Sequence, residues 1–213
     1  MERESVYRGT SRPPRAARKV VEANNSRRYR AHTKEAQQLA QGMVGVIPTD
    51  TLYGLVASAH NVAAVERVYA LKNRDATKSC IVLIDSMERL SEFGIELTDT
   101  VRSQLVQFWP GPVSVVIPVT ATTHAHVVRG NGSIAFRLPS DERVLELLRV
   151  SGPLIAPSAN PEGLSPATTI DEAREYFGAA VDVYIDGGVR EGAPSRLISV
   201  LSDGTVVTLR AGK

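Results

Sequence analysis

The 213-residue sequence holds one cysteine, Cys80, so no internal disulfide can form, and a reducing compartment is expected. Cys80 opens the apolar run "CIVLI", where a buried, inert thiol is expected rather than a nucleophile. No apolar run approaches the ~20 residues needed to cross a bilayer. No charged n-region followed by an apolar h-region marks the start, so an unexported, cytoplasmic protein without membrane association is expected. The common nucleotide loops, G-x-x-x-x-G-K-[ST] and G-x-G-x-x-G, are missing, and so is a G-x-S-x-G nucleophile elbow. His124 and His126 form an H-x-H with no third ligand nearby in sequence, which argues against a metal site there.

Charge is unevenly spread. Of the 25 Lys/Arg, nine fall in residues 1–30, against three of the 23 Asp/Glu; the other 183 residues hold 16 basic and 20 acidic. Residues 1–30 have almost no apolar periodicity and contain "RPPR" and "ANNSRRYR", so they read as a flexible basic arm. Attraction to RNA phosphates and a merely solubilising extension both fit this composition, and a transit peptide fits less well with Glu2 and Glu4 so early.

Residues 31–213 read as one α/β domain. A helix starting near Thr33 and ending at Gly42 precedes the β-rich "MVGVI". "NVAAVERVYALK" has helical apolar spacing with Asn61 as a cap, followed by the strand "CIVLI". "TDTVRSQLVQFW" reads as a helix stopped by Pro110-Gly111-Pro112, then come the strands "VSVVIPV" and "SIAFRL", the helix "SDERVLELLRV" and the short strand "PLIAP". "TIDEAREYF" reads as a helix, and "VDVYID", "RLISVL" and "TVVTLRA" as strands, with Asp203-Gly204 turning between the last two. Strands alternating with helices predict an open, twisted mixed sheet with helices on its faces.

Polar side chains gather just after the apolar segments. They include Thr49–Thr51 after "MVGVIP", Lys72 and Arg74 after a helix, Arg137 ending "SIAFR", Ser158–Asn160 after "PLIAP", Ser195 before "RLISV", and Arg210 after "TVVTL". Ligands of open α/β sheets collect outside strand ends, so four cations with several hydroxyls there would form an anion-binding cavity. Taken singly, each run reads better as a plain turn; it is the set that points to a site.

The segments "PTDTLYGL", "YALKNR", "FWPGPVSVVI", "IAFRLP", "APSAN", "SPATT", "IDGG" and "LRAG" stand in an order and spacing that resembles the YrdC-like family, the threonylcarbamoyl-AMP synthases, over about residues 33–213. The resemblance implies a twisted open sheet with a large positive central cavity. It also implies condensation of L-threonine, bicarbonate and ATP to L-threonylcarbamoyladenylate, with release of pyrophosphate. Transfer proteins then move the threonylcarbamoyl group onto adenosine 37 of tRNA. By resemblance, Thr51, Arg137, Ser158 and Ser195 contact threonine, Arg137 through its carboxylate. Lys72, Arg74, Lys78, Ser133, Asn160, Thr168 and Arg210 serve ATP, and Mg²⁺ arrives with the nucleotide. Departures from the family pattern are Asp75, Ser79 and Cys80 near the K-x-R segment, Leu83 where a histidine is frequent, Glu162 and Leu164 after "APSAN", and Arg196 in place of a small hydroxyl residue. With the sequence reaching Lys213, the additional carboxy-terminal domain of longer members is expected to be absent. A paralogue making a different carbamoyl or acyl adenylate, and a non-catalytic RNA-binding factor, remain alternatives.

Overall fold

A computed structural model describes residues 33–120 and 124–212; the basic arm, residues 1–30, lies outside them. Helix α1 (33–40) begins at Thr33 and closes through Gly42, whose φ of +93° is the left-handed conformation that glycine adopts at least cost. Strand β1 (Gly45–Pro48) turns into β2 (Tyr53–Ser58), and helix α2 (Val62–Lys72) follows. Next come β3 (Ile81–Leu83), α3 (Asp99–Leu105), β4 (Val113–Pro118), α4 (Ala125–Val128), β5 (Ser133–Arg137) and α5 (Glu142–Ser151). The chain continues through β6 (Leu154–Ile155), α6 (Ile170–Phe177), β7 (Val183–Tyr184), β8 (Arg196–Val200) and β9 (Val206–Arg210).

Local chemistry sets the helix starts. The side chain of Asn61 accepts the Ala64 N–H at 2.9 Å, as its position in the sequence predicts, and Thr98, Asp141 and Thr169 cap α3, α5 and α6 in the same way. Helix α3 stops at Leu105, short of the Pro110-Gly111-Pro112 breaker, because residues 106–108 form turns rather than a further helical turn.

The described strands form one mixed sheet in the order β7-β1-β2-β6-β3-β5-β4-β8-β9, with β1–β7, β3–β5 and β4–β8 parallel and the remaining neighbours antiparallel. Adjacent residues along a strand point to opposite faces, and the core divides accordingly. Val46, Leu55, Val82, Phe136 and Ile198 belong to a large cluster with α2, α3, α4 and α6 on one face. Ile47, Val56 and Leu83 belong to a smaller cluster with Leu39 of α1 and Val144, Leu147 and Leu148 of α5 on the other. The helices of this second face cover β1, β2, β6 and part of β3. Beyond them, toward β5, β4 and β8, that face carries Ser133, Ala135, Val116 and Leu197, which floor a cavity instead. In "SIAFR", Ile134 and Phe136 face the core while Ser133, Ala135 and Arg137 face the cavity, so one period-2 pattern builds both surfaces. None of the described helices is long and apolar enough to cross a membrane.

Strand β2, absent from the sequence reading, is buried at all six positions. Its backbone pairs with β1 on one side and, through Leu55 N to Pro157 O and Ala159 N to Tyr53 O, with the "APSAN" segment on the other.

Candidate functional site

Three small polar residues follow β1 because they make the β1–β2 turn and then reach beyond it. Thr49 Oγ1 donates to Leu52 O at 2.7 Å and accepts the N–H groups of Thr51 and Leu52 at 3.2 Å, so its hydroxyl closes the turn. Thr49 Oγ1 also shares a 3.1 Å hydrogen bond with Thr51 Oγ1, and the side chains of Asp50 and Thr51 both reach Arg137, 87 and 86 residues away.

The cavity measures about 610 Å³, within the range of small-molecule sites. Its wall includes Thr51, Arg137, Ser158 and Ser195, all four of the expected threonine contacts. Of the expected nucleotide contacts, Arg74, Ser133 and Arg210 are in the wall, which has no carboxylate among the described residues. Arg137 is 4% exposed; its NH1 donates to Thr51 Oγ1 at 3.1 Å and its NH2 is ion-paired with Asp50, while Nε has no partner among the described residues. Burial pushes the Arg137 guanidinium down to about 10, still far above neutrality, so it is a cation at pH 7. Arg74 is held by the carbonyls of Lys78 and Ser79, and Arg210 NH2 by Ser195 O at 2.9 Å. Ser195 Oγ in turn shares a 2.9 Å hydrogen bond with buried Ser114.

The remaining expected nucleotide residues lie outside the wall. Lys72 is 2% exposed and its Nζ donates to the carbonyls of Ser158 at 2.6 Å and Asn160 at 2.5 Å, fastening the end of α2 beneath the "APSAN" loop. Asn160 is buried; its amide donates to the carbonyls of Pro161 and Leu164, and its Oδ1 accepts from Ser158 Oγ at 2.6 Å. Thr168 gives both its N–H and its hydroxyl to Glu172 in the first turn of α6. Lys78 pairs with Glu162 at 2.5 Å on the surface, and the same carboxylate accepts the Asp75 N–H. Two of the departures from the family pattern, Asp75 and Glu162, are therefore one contact that ties the K-x-R loop to the segment after "APSAN".

The wall also includes Thr49 and Ser79, and Asn131, which was not singled out from sequence. Asn131, in "GNGS", reads as a turn residue, yet its amide donates to Thr77 O at 2.8 Å and joins the loop before β5 to the loop before β3. Leu83 lies in the wall, and Cys80 too, as a buried free thiol beside the Tyr69 hydroxyl. Arg196 turns away from this cavity: its guanidinium donates to Thr208 on β9 at 2.8 Å, and its strand face is that of Ile198 and Val200. His124 and His126 lie apart from the site, in ring contact with each other and, through His124, with His60 and Phe93.

A family model named for Sua5, YciO and YrdC, with the description "telomere recombination", matches residues 37–212. The chain is 36% identical over 165 residues to a threonylcarbamoyl-AMP synthase of Thiobacillus denitrificans, covering 76% of this chain and 87% of the relative. It is 34% identical over 176 residues to a threonylcarbamoyl-AMP synthase of Pyrococcus abyssi, covering 82% of this chain but 52% of the relative, so it spans about half that protein's length. The crystal structure of P. abyssi Sua5 complexed with L-threonine superposes with a TM-score of 0.79 at 32% identity, over 86% of this chain and 54% of the other. A family model matched over residues 37–212 and relatives at 34–36% identity show that the chain belongs to the Sua5/YciO/YrdC family.

Proposed function

We propose that the protein is an L-threonylcarbamoyladenylate synthase, joining L-threonine, bicarbonate and ATP with release of pyrophosphate, and that its product serves threonylcarbamoylation of adenosine 37 in tRNA through separate transfer proteins. The observation that carries this reading is the cavity itself. It combines a buried, hydroxyl-flanked arginine suited to a carboxylate with two arginines, Arg74 and Arg210, whose hydrogen bonds among the described residues go to backbone carbonyls alone. The names of the Thiobacillus and Pyrococcus relatives, and the threonine in the P. abyssi structure, support it.

The chemistry asks for alignment more than for acid–base groups. The threonine ammonium gives up a proton, the free amine attacks the carbon of bicarbonate with loss of water, and an oxygen of the resulting carbamate attacks the α-phosphorus of ATP as pyrophosphate leaves from the opposite side. Holding these partners in line removes roughly 7–11 kcal/mol of barrier. Arg137 and Thr51 fix the threonine carboxylate, and Ser158 and Ser195 offer hydroxyls beside it. Arg74 and Arg210 stabilise charge on the phosphoryl oxygens. Lys72 and Asn160 act one step behind the wall, holding the loop that presents Ser158. Mg²⁺ bound to the triphosphate supplies further charge neutralisation. A wall without carboxylates among the described residues fits an ion that would be carried by phosphate oxygens and water rather than by a protein cage.

The test is incubation with ATP, Mg²⁺, bicarbonate and each amino acid, with mass detection of the adenylate. Pyrophosphate release that requires both threonine and bicarbonate is expected; none with any amino acid would sink the reading. Leu83 in the wall favours a second reading, a different carbamoyl or acyl adenylate, and mass detection of the product decides it.

The loop before β8 brings Pro194 and Ser195 to the cavity wall and packs Gly192 against Thr51. A Cβ on Gly192 would stand 2.1 Å from Thr51 O, far inside contact distance, so Gly192→Ala must push that loop away from the β1–β2 turn. The expected result is a rise of up to about 100-fold in the threonine KM with little change in melting temperature, because misplacement near 1 Å costs that much. A KM equal to wild type would show that the loop is not part of the site.

A further inference from the structure

The three arginines of the cavity wall differ in one respect. Arg74 and Arg210 have no carboxylate within 4.0 Å among the described residues, whereas Arg137 is ion-paired with Asp50, both side chains being nearly buried. We propose that Asp50 binds the α-ammonium of the amino-acid substrate, so that Asp50 and Arg137 together form a zwitterion site and leave Arg74 and Arg210 to the polyanion. This rests on the reading that the cavity takes L-threonine, and adds the residue that distinguishes an α-amino acid from any other small carboxylate.

Geometry and charge both point this way. Asp50 Oδ1 is engaged by Arg137 NH2, but Oδ2 has only long contacts, 3.4 Å from Ser140 N and 3.5 Å from Ser140 Oγ. An ionised carboxylate offers about four acceptor sites, so capacity for a charge-assisted bond remains. Asp50 does not line the main cavity itself but borders an adjoining recess of about 420 Å³, which shares Thr51 and Pro194 with it, and its side chain keeps 10% exposure. In an α-amino acid the ammonium nitrogen is two bonds, each about 1.5 Å, from the carboxylate carbon. A carboxylate seated on Arg137 therefore carries its ammonium into the neighbourhood of the Arg137 partner. With Asp50 ionised, the pair is neutral overall, and a triphosphate gains less there than at Arg74 and Arg210. A zwitterion, complementary to both charges, gains more.

The bland alternative is that Asp50 only orients Arg137. A pair of ligands that both use Arg137 separates the two: L-threonine, and 2,3-dihydroxybutanoate, in which a hydroxyl replaces the ammonium. Equilibrium binding of each to the full-length chain should favour threonine by about 10- to 100-fold, the range of one hydrogen bond to a charged group. In Asp50→Asn that ratio should fall toward one and pyrophosphate should bind more tightly, while Asp50→Glu keeps most of the discrimination. Equal binding of the two ligands by wild type overturns the proposal without recourse to any variant. So does an Asp50→Asn protein that weakens both ligands alike and leaves the ratio unchanged, which is the signature of orientation alone. Wild-type protein that binds neither ligand overturns the functional reading itself, and this inference with it.

Discussion

Replacing Arg137 with lysine is expected to lower kcat/KM for L-threonine by about 100-fold while leaving ATP affinity close to wild type. Charge is retained, so the effect isolates geometry. The guanidinium serves Asp50 through NH2 and Thr51 through NH1 at the same moment, and its planar fork still has donors for a substrate carboxylate. An ammonium on a shorter reach is a point charge, and in a buried position beside Asp50 it would be drawn to that carboxylate alone. Loss of one or two charge-assisted hydrogen bonds, each about 1.5–3 kcal/mol, accounts for the expected factor. Steady-state kinetics with threonine varied, and nucleotide binding measured separately, check both halves. An unchanged kcat/KM would remove Arg137 from the amino-acid site; a parallel loss of ATP binding would assign it to the nucleotide instead.

That Arg137 belongs to the cavity was legible from "SIAFR", because alternation alone sends Ser133, Ala135 and Arg137 to the face opposite Ile134 and Phe136. Most strands and helices were legible for the same reason: apolar runs with a clear period and capping residues such as Asn61 in place. Strand β2 was not, since burial on both faces erases alternation, and Gly54, Ala57 and Ser58 dilute the β-branched signal. Partnerships between distant residues were the other blind spot. Nothing in "PTDT" indicates that Asp50 meets a residue 87 positions on, nor in "KNRDATK" that Lys78 turns outward to Glu162. A cation near a presumed anion site invites the inference that it faces the anion. Lys72 shows the weakness of that step, because carbonyl oxygens of a neighbouring loop attract an ammonium as well as a phosphate does, and here they surround it.

Lys72→Met therefore has a large and diagnostic expected effect. Methionine has similar length and flexibility but no donor, so the carbonyls of Ser158 and Asn160 lose their buried partner at about 1–3 kcal/mol each. The loop that carries Ser158 loosens, and adenylate formation should drop by about 100-fold although Lys72 is not in the cavity wall. Titration supplies a second readout. Burial, and then the nearby Arg74 charge, push the Lys72 ammonium down to about 8 from its ordinary 10.5. Between those values the unfolded chain binds the proton more readily than the folded one, so stability from this group increases as pH rises from 8 toward 10.5 and is lost as pH falls through 8. The difference in unfolding free energy between wild type and Lys72→Met should widen over that window. Comparing the two proteins cancels Tyr53 and Tyr69, whose hydroxyls burial holds protonated and which act in the opposite sense above pH 10. Denaturant unfolding at pH 7.5 and 9.5, beside single-turnover adenylate formation, measures both effects. If activity disappears with no loss of stability and no widening with pH, Lys72 reaches the nucleotide directly and its place beneath the loop is not its working position.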